Sequence, residues 1–298
     1  MIDPTSLVLA AGGLGDSLLT LPALRFLQSR SQVTVAGTPP YLALGADLLG
    51  IQEVVPLDPI LQDLFSKGPL GSRQQDFLAA FHDIFIFFKE KDEVILEKLA
   101  SLSNILIHFP RRPFIEFLKE GRWAAEYWLE CAFDGPVPDD PPFRQARLEI
   151  SEALKEEGGN ILETLGLSSP LIIHPGSGSP QKNGPLSFFR TAAERAVGES
   201  QKQVLVIWGE AEEKNLGVLK DGFAGLNGVT ILEKPLPLRQ LAAVLSRSSA
   251  YLGNDSGVTH LASACGLRTF ALFNSTDARV WGPNANAVIL SALKGHLG

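Results

Sequence analysis

The chain has 298 residues, room for two domains of ordinary size, each with its own core. Hydrophobic residues make up 45% and charged residues 20%, a globular composition that argues against disorder. The formal net charge of -7 argues against nucleic acid as the main partner, because neutralising phosphates takes a basic surface.

Cys131 and Cys265 form no CxxC pair, so neither a disulfide framework nor a structural zinc site is expected. The N-terminus has no basic stretch followed by a long apolar core. No apolar run approaches the roughly 18 residues of a bilayer span. These features point to a soluble, cytoplasmic protein, with contact at a membrane surface still open.

In chain order, an apolar strand over 6–10 leads through a Gly-rich turn into a helix over about 17–29. Further strands are expected at 33–36 and 52–55. The runs 83–88 and 104–109 are uniformly apolar, as strands buried on both faces are. Helices are expected at 92–101 and 122–133. The stretch from Gly135 to Pro142 then carries four prolines in eight residues, which suits neither a helix nor a central strand. It is the best linker in the chain. Beyond it, strands at 171–174, 203–208, 229–232, 250–252 and 269–273 alternate with helices at 186–197, 211–219, 238–248 and 258–265. The fold class is α/β, with two Rossmann-like, doubly wound parallel-sheet domains over 1–140 and 141–298. Such domains bind ligands at the C-terminal ends of their strands, here expected to face a cleft.

Four loops at strand ends carry candidate chemistry. The first runs from Ala11 to Ser17 and contains Gly12, Gly13, Gly15 and Asp16. A dinucleotide fingerprint fails, since Leu18 takes the third glycine position and Ala36-Gly37-Thr38 supplies no acidic residue after strand two. Asp16 is therefore either a helix cap or a catalytic carboxylate. The second loop, from His174 to Pro185, offers Ser177, Ser179 and Lys182 to phosphate oxygens, though plain turns also look like this. The third, Trp208-Gly209-Glu210-Ala211-Glu212-Glu213, places carboxylates where ribose hydroxyls bind or where a helix dipole attracts them. The fourth, Asn254-Asp255-Ser256-Gly257, opens directly into a helix and is a seat for phosphate. Within it Asp255 is an N-cap or a ligand contact, and His260 is more readily a satisfied, partly buried histidine than a catalytic one.

A basic, aromatic patch of Arg111, Arg112, Phe114, Lys119, Arg122 and Trp123 could fork onto an anionic acceptor or simply face solvent. The five histidines (His82, His108, His174, His260 and His296) lack metal-ligand spacing, and there is no D-x-D pair. No metal is expected.

In this order the motifs resemble glycosyltransferase family 9, the ADP-heptose:lipopolysaccharide heptosyltransferases and their relatives. Gly15-Asp16 leads to Leu21-Pro22-Ala23-Leu24, like the family's Gly-Asp and L-P-A-L. The loop from His174 to Pro185 resembles its H-x-G and K-x-W-P segment. Asp255-Ser256-Gly257-Val258-Thr259-His260-Leu261-Ala262 resembles D-[ST]-G-x-x-H-L-A, and Thr276-Asp277 and Gly282-Pro283 match its tail.

The resemblance implies a GT-B architecture and an inverting, metal-independent sugar transfer without a cofactor. The donor substrate would be a nucleotide sugar, ADP-linked heptose in the family, and the acceptor a glycan or glycolipid of the lipopolysaccharide type. Asp16 would be the general base. Ser177, Ser179 and Lys182 would hold the diphosphate, Glu212 or Glu213 the ribose, and Asp255, Ser256 and Gly257 the donor. Gly13, Gly15, Arg111, Arg112 and Arg122 would face the acceptor. Such a protein is cytoplasmic, with peripheral contact at the inner membrane face. Departures are Gly184 where members have Trp, Arg268 for Pro, Asn274 for Gly, and an end at Gly298 sooner than members usually stop. Alternatives are a nucleotide-sugar epimerase of similar fold and a nucleotide-binding protein without turnover.

Overall fold

A computed structural model describes residues 4–66, 68–138, 143–200, 202–283 and 287–291. The chain divides into two compact units, Met1–Ala146 and Arg147–Gly298. The division falls past the proline-rich stretch because Arg144 ties its segment back to the first unit. Its guanidinium pairs with Glu126 at 3.6 Å and lies 5.2 Å from the Trp123 ring centre. Residues 139–142 of the expected linker lie outside the described residues, as does His296.

The first unit holds a parallel sheet of β1 (Thr5–Ala10), β2 (Gln32–Gly37), β3 (Glu53–Pro56), β4 (Asp83–Phe87) and β5 (Leu106–His108). Their spatial order is β3-β2-β1-β4-β5. Register explains the packing on both faces. Leu7 lies opposite Ile84 and Leu9 opposite Ile86, so these four share one face. They join Ile60, Leu64, Leu78, Ile95 and Leu99 in one core cluster. Val8, Phe85 and Phe87 point the other way, where Phe87 meets Trp128 at 5.3 Å between ring centres. Burial on both faces is what the apolar run 84–88 dictates, whereas the run expected at 104–109 yields only the short edge strand β5, with Leu106 65% exposed.

The expected helix over 17–29 is two helices, α1 (Leu14–Leu19) and α2 (Leu21–Gln28), broken at Thr20. Pro22 stands in the first turn of α2, where its missing N–H costs nothing. Helices α3 (Pro39–Leu49), α4 (Asp58–Phe65), α5 (Ser72–Ala79), α6 (Glu93–Ala100), α7 (Phe114–Lys119) and α8 (Ala124–Phe133) complete the unit.

The second unit begins with α9 (Glu152–Thr164) and carries β6 (Leu171–His174), β7 (Val204–Val206), β8 (Val229–Ile231), β9 (Ala250–Asn254), β10 (Thr269–Phe273) and β11 (Ala287–Ser291). All pairings are parallel, in the order β11-β10-β9-β6-β7-β8. Strand β11 was not foreseen. Its helices are α10 (Leu186–Gly198), α11 (Leu216–Phe223), α12 (Leu238–Ser246), α13 (Gly257–Ala264) and α14 (Ala278–Trp281). Helix α9 packs closely on α12, since a Cβ on Gly158 would stand 2.1 Å from the Ala243 carbonyl oxygen. Both units are therefore Rossmann-like parallel sheets, as expected.

In each unit the chain winds outward to one edge, then returns to build the other side. The crevice of such a sheet lies where the winding reverses, between β1 and β4 in one unit and between β6 and β9 in the other.

Candidate active site

At the first reversal, β1 runs into Ala11-Gly12-Gly13 and then α1. Gly12 has φ +141°, and a Cβ there would sit 2.6 Å from the Asp16 Cβ, so only glycine lets this turn close. The Thr38 hydroxyl braces it by donating to the Gly12 carbonyl at 2.8 Å. Gly13 is the N-cap of α1, and Asp16 stands three residues on, accepting from the Gly13 N–H at 3.3 Å. Gly15 is an ordinary helical position. Capping and catalysis are thus not exclusive for Asp16. Its other oxygen, Oδ1, lies 2.8 Å from the Lys89 ammonium, and its side chain is 26% exposed. Lys89 follows β4 and is a site residue the sequence reading missed.

The arginine patch is built differently from the expectation. Arg112 bonds Glu130 at 3.1 Å and 3.2 Å and also pairs with Glu120. Arg122 bonds Glu126 at 2.9 Å and Glu130 at 2.5 Å. The two guanidinium groups lie 5.0 and 4.9 Å from the Phe117 ring centre. Partial burial alone would lower the pKa of Arg122, but its bonds to Glu130 and Glu126 outweigh that and raise it. These two side chains lock α7 to α8. Arg111 is the exposed one, pairing with Asp134 at 3.2 Å while 61% accessible.

At the second reversal the loop after β6 meets the turn after β9. Asn254 staples them: its amide nitrogen donates to the Pro175 carbonyl at 2.6 Å, and its oxygen accepts from the Gly184 N–H at 2.8 Å. The N-cap of α13 is Ser256, whose Oγ accepts from the Thr259 N–H at 3.3 Å. Asp255 does not cap. Its buried Oδ2 accepts from the Thr276 hydroxyl at 2.6 Å and lies 2.8 Å from the Lys182 ammonium. The amides of Gly257 and Val258, in the first turn of α13, have no intrahelical acceptor. The helix N-terminus presents positive potential to an anion, with the Lys182 ammonium held beside it by Asp255.

Ser177 is buried, and its hydroxyl turns inward, 2.7 Å from the Ser179 carbonyl and 2.6 Å from the Asn183 side-chain oxygen. It shapes the loop. Ser179 opens the short 3-10 turn Pro180–Lys182 that carries Lys182. The departure at Gly184 also has a structural reason: a Cβ there would lie 2.3 Å from Leu272 Cδ2, so Leu272 fills that space.

The third loop separates the two glutamates. Glu213 is exposed. Glu212 folds back so that Oε2 accepts from the Gly209 N–H at 2.8 Å and meets His174 Nε2 at 3.4 Å. Burial pushes its carboxyl up, yet hydrogen bonds from His174 and the Gly209 backbone outweigh this and leave it below the ordinary range. Gly176 must lack a side chain, since a Cβ would stand 2.1 Å from Glu212. From His174 the chain of contacts continues to the Tyr251 hydroxyl at 3.4 Å and on to Thr259 at 3.1 Å, which also donates to the Asn254 carbonyl. Burial raises the Tyr251 phenol, so it stays protonated. His260 is buried within α13.

Among the described residues no group of three or more His, Cys, Asp or Glu gathers as a metal centre, and no helix is long and apolar enough to cross a membrane.

Lipopolysaccharide heptosyltransferase 1 of Campylobacter coli is 24% identical over 192 residues, 63% of this chain and 54% of that protein. The chain thus spans about half the length of that curated relative. The solved glycosyl transferase family 9 protein of Veillonella parvula superposes with a TM-score of 0.76 at 17% identity, over 99% of this chain and 89% of the other. The ADP-heptose lps heptosyltransferase II of E. coli gives 0.73 at 18% identity, over 98% and 91%. At those identities the likeness establishes the fold. The model of glycosyltransferase family 9 (heptosyltransferase) matches residues 139–296, just over half of the chain and the three candidate loops of the second unit. This chain belongs to glycosyltransferase family 9.

Proposed function

We propose that the protein is an inverting, metal-independent glycosyltransferase that moves heptose from ADP-heptose to a lipopolysaccharide-type acceptor. The similarity to proteins named for ADP-heptose and lipopolysaccharide supports this choice of substrates. An acceptor of this class is anchored in a membrane, so contact with the inner membrane face belongs to the same reading.

The donor binds in the second unit. Its diphosphate sits on Lys182 and the free amides of α13, which stabilise charge growing on the leaving group without a resident metal ion. Ser179 lies beside Lys182 on that side, while Ser177 acts by shaping the loop. Glu212 accepts from ribose hydroxyls. Asp255, held by Thr276, addresses the sugar together with Ser256 and Gly257. The acceptor binds in the first unit, against Gly13 and Gly15 with Arg111 available for an anionic group. Arg112 and Arg122 support that surface from behind, since both are held by glutamates.

The chemistry is one displacement. The acceptor oxygen attacks the anomeric carbon, its proton passes to the Asp16 carboxylate, and the bond to the diphosphate breaks with its electron pair leaving on oxygen. The observation that carries the reading is Asp16 itself: a partly exposed carboxylate at a sheet's reversal point, both oxygens already oriented. The test is Asp16→Asn. Transfer from ADP-heptose to heptose-free lipopolysaccharide should fall about 10²–10⁴-fold, the usual worth of a general base, while ADP affinity measured by calorimetry stays within about twofold. A variant that transfers at the wild-type rate rules the base assignment out.

A further inference from the structure

We infer that Lys89 is a positioning residue that fixes the orientation from which Asp16 takes the acceptor proton. This rests on the reading of Asp16 as the base.

An aspartate near a helix start can turn about two side-chain bonds. One of its constraints is weak: the Gly13 N–H lies at 3.3 Å from Oδ2. The Lys89 ammonium is closer, at 2.8 Å from Oδ1. Lys89 is itself placed by the sheet. Register sets Phe87 opposite Ala10, so the chain leaving β4 runs beside the turn that leaves β1. The Phe114 N–H lies 3.4 Å from the Lys89 carbonyl and the Lys89 ammonium 5.4 Å from the Phe114 ring centre, so both ends of the residue lie against the start of α7. Lys91, two residues on, turns instead to Glu93 at 2.9 Å, and Asp92 caps α6. Among these neighbouring charges Lys89 is the one aimed at Asp16. With both oxygens held from the protein side, the lone pair left for a substrate hydroxyl has a set direction. Lys89 exchanges no proton in the step: the acceptor proton goes to Asp16 and the electron pair leaves on the diphosphate.

The test compares wild type, Lys89→Gln, Lys89→Arg, Asp16→Asn and the Asp16→Asn/Lys89→Gln pair, with ADP-heptose and heptose-free lipopolysaccharide. Lys89→Gln should lower kcat about ten- to a hundredfold, the scale of a misplacement near one ångström, with both KM values within about twofold. Lys89→Arg should recover most of the rate, and Lys89→Gln should add nothing to Asp16→Asn. An unchanged kcat in Lys89→Gln while Asp16→Asn is inactive overturns the positioning role and leaves the base standing. So does a KM effect without a kcat effect, or a further loss in the double variant. Full transfer by Asp16→Asn, or none by the wild type, overturns the base reading and this inference with it.

Discussion

The two reversal points share a topology yet are built with different stiffness. In the first unit one carboxylate is held by a backbone amide and one lysine, with both side chains partly open to solvent. In the second, a buried run of groups joins Glu212, His174, Tyr251 and Thr259, and Asn254 staples the two loops together. A group that must meet a substrate hydroxyl and accept its proton needs access and a few fixed directions. A pocket that recognises one nucleotide gains from being rigid before the ligand arrives, because less ordering is left to be done on binding. The difference in construction matches the difference in proposed task.

The largest expected effect strikes the loosely built side through its backbone. Gly12→Ala places a methyl group 2.6 Å from the Asp16 Cβ at a φ that disfavours side chains. We expect a loss of about 1–3 kcal/mol in stability, read by denaturant unfolding, and a fall in transfer as large as that of Asp16→Asn. A fully active Gly12→Ala would show that the turn is not what orients the carboxylate. On the stiff side Lys182→Ala should weaken ADP binding about ten- to a hundredfold by calorimetry, the worth of one charge-assisted hydrogen bond of about 1.5–3 kcal/mol. Equal affinities would remove Lys182 from the diphosphate. A smaller effect comes from Gly184→Trp, which must displace Leu272. Overpacking there should cost about 1–3 kcal/mol, with much of it recovered in the Leu272→Ala background. No recovery would mean that Leu272 does not fill the space.

Much of this architecture was legible beforehand, and the reasons are physical. Continuous apolar runs such as 84–88 mark strands buried on both faces, and glycine-rich turns after strands such as 6–10 mark crevice loops. Asp16, Lys182 and Asp255 could be singled out because each stands in such a turn. Partners were not legible. Lys89 lies in a charged stretch, Phe88-Lys89-Glu90-Lys91-Asp92, and only the register of β4 on β1 shows which charge meets Asp16. Arg112 and Arg122 read as open forks because the glutamates that occupy them, Glu120, Glu126 and Glu130, are brought close only by the packing of α7 on α8. Strand β11 escaped notice as a short apolar run, and only the fold shows that Glu212 folds back onto Gly209 while Glu213 stays exposed.

The smallest expected effect tests whether the buried run in the second unit is electrostatically tuned. Glu212 has only 14% of its side chain exposed, and its folded pKa lies below the ordinary value of 4.5. A carboxyl that is more acidic when folded contributes stability above its unfolded pKa and loses that contribution as pH falls through the folded one. Glu212→Gln lacks this contribution at every pH. Near neutrality the wild type should therefore melt higher than the variant. The gap should close as the pH drops below about 4.5. Paired melting curves across that range decide it. A gap that persists unchanged to pH 3 would mean that Glu212 acts by shape alone. That would leave Gly176, which must stay bare to admit it, as the clearer sign of why the loop is built this way.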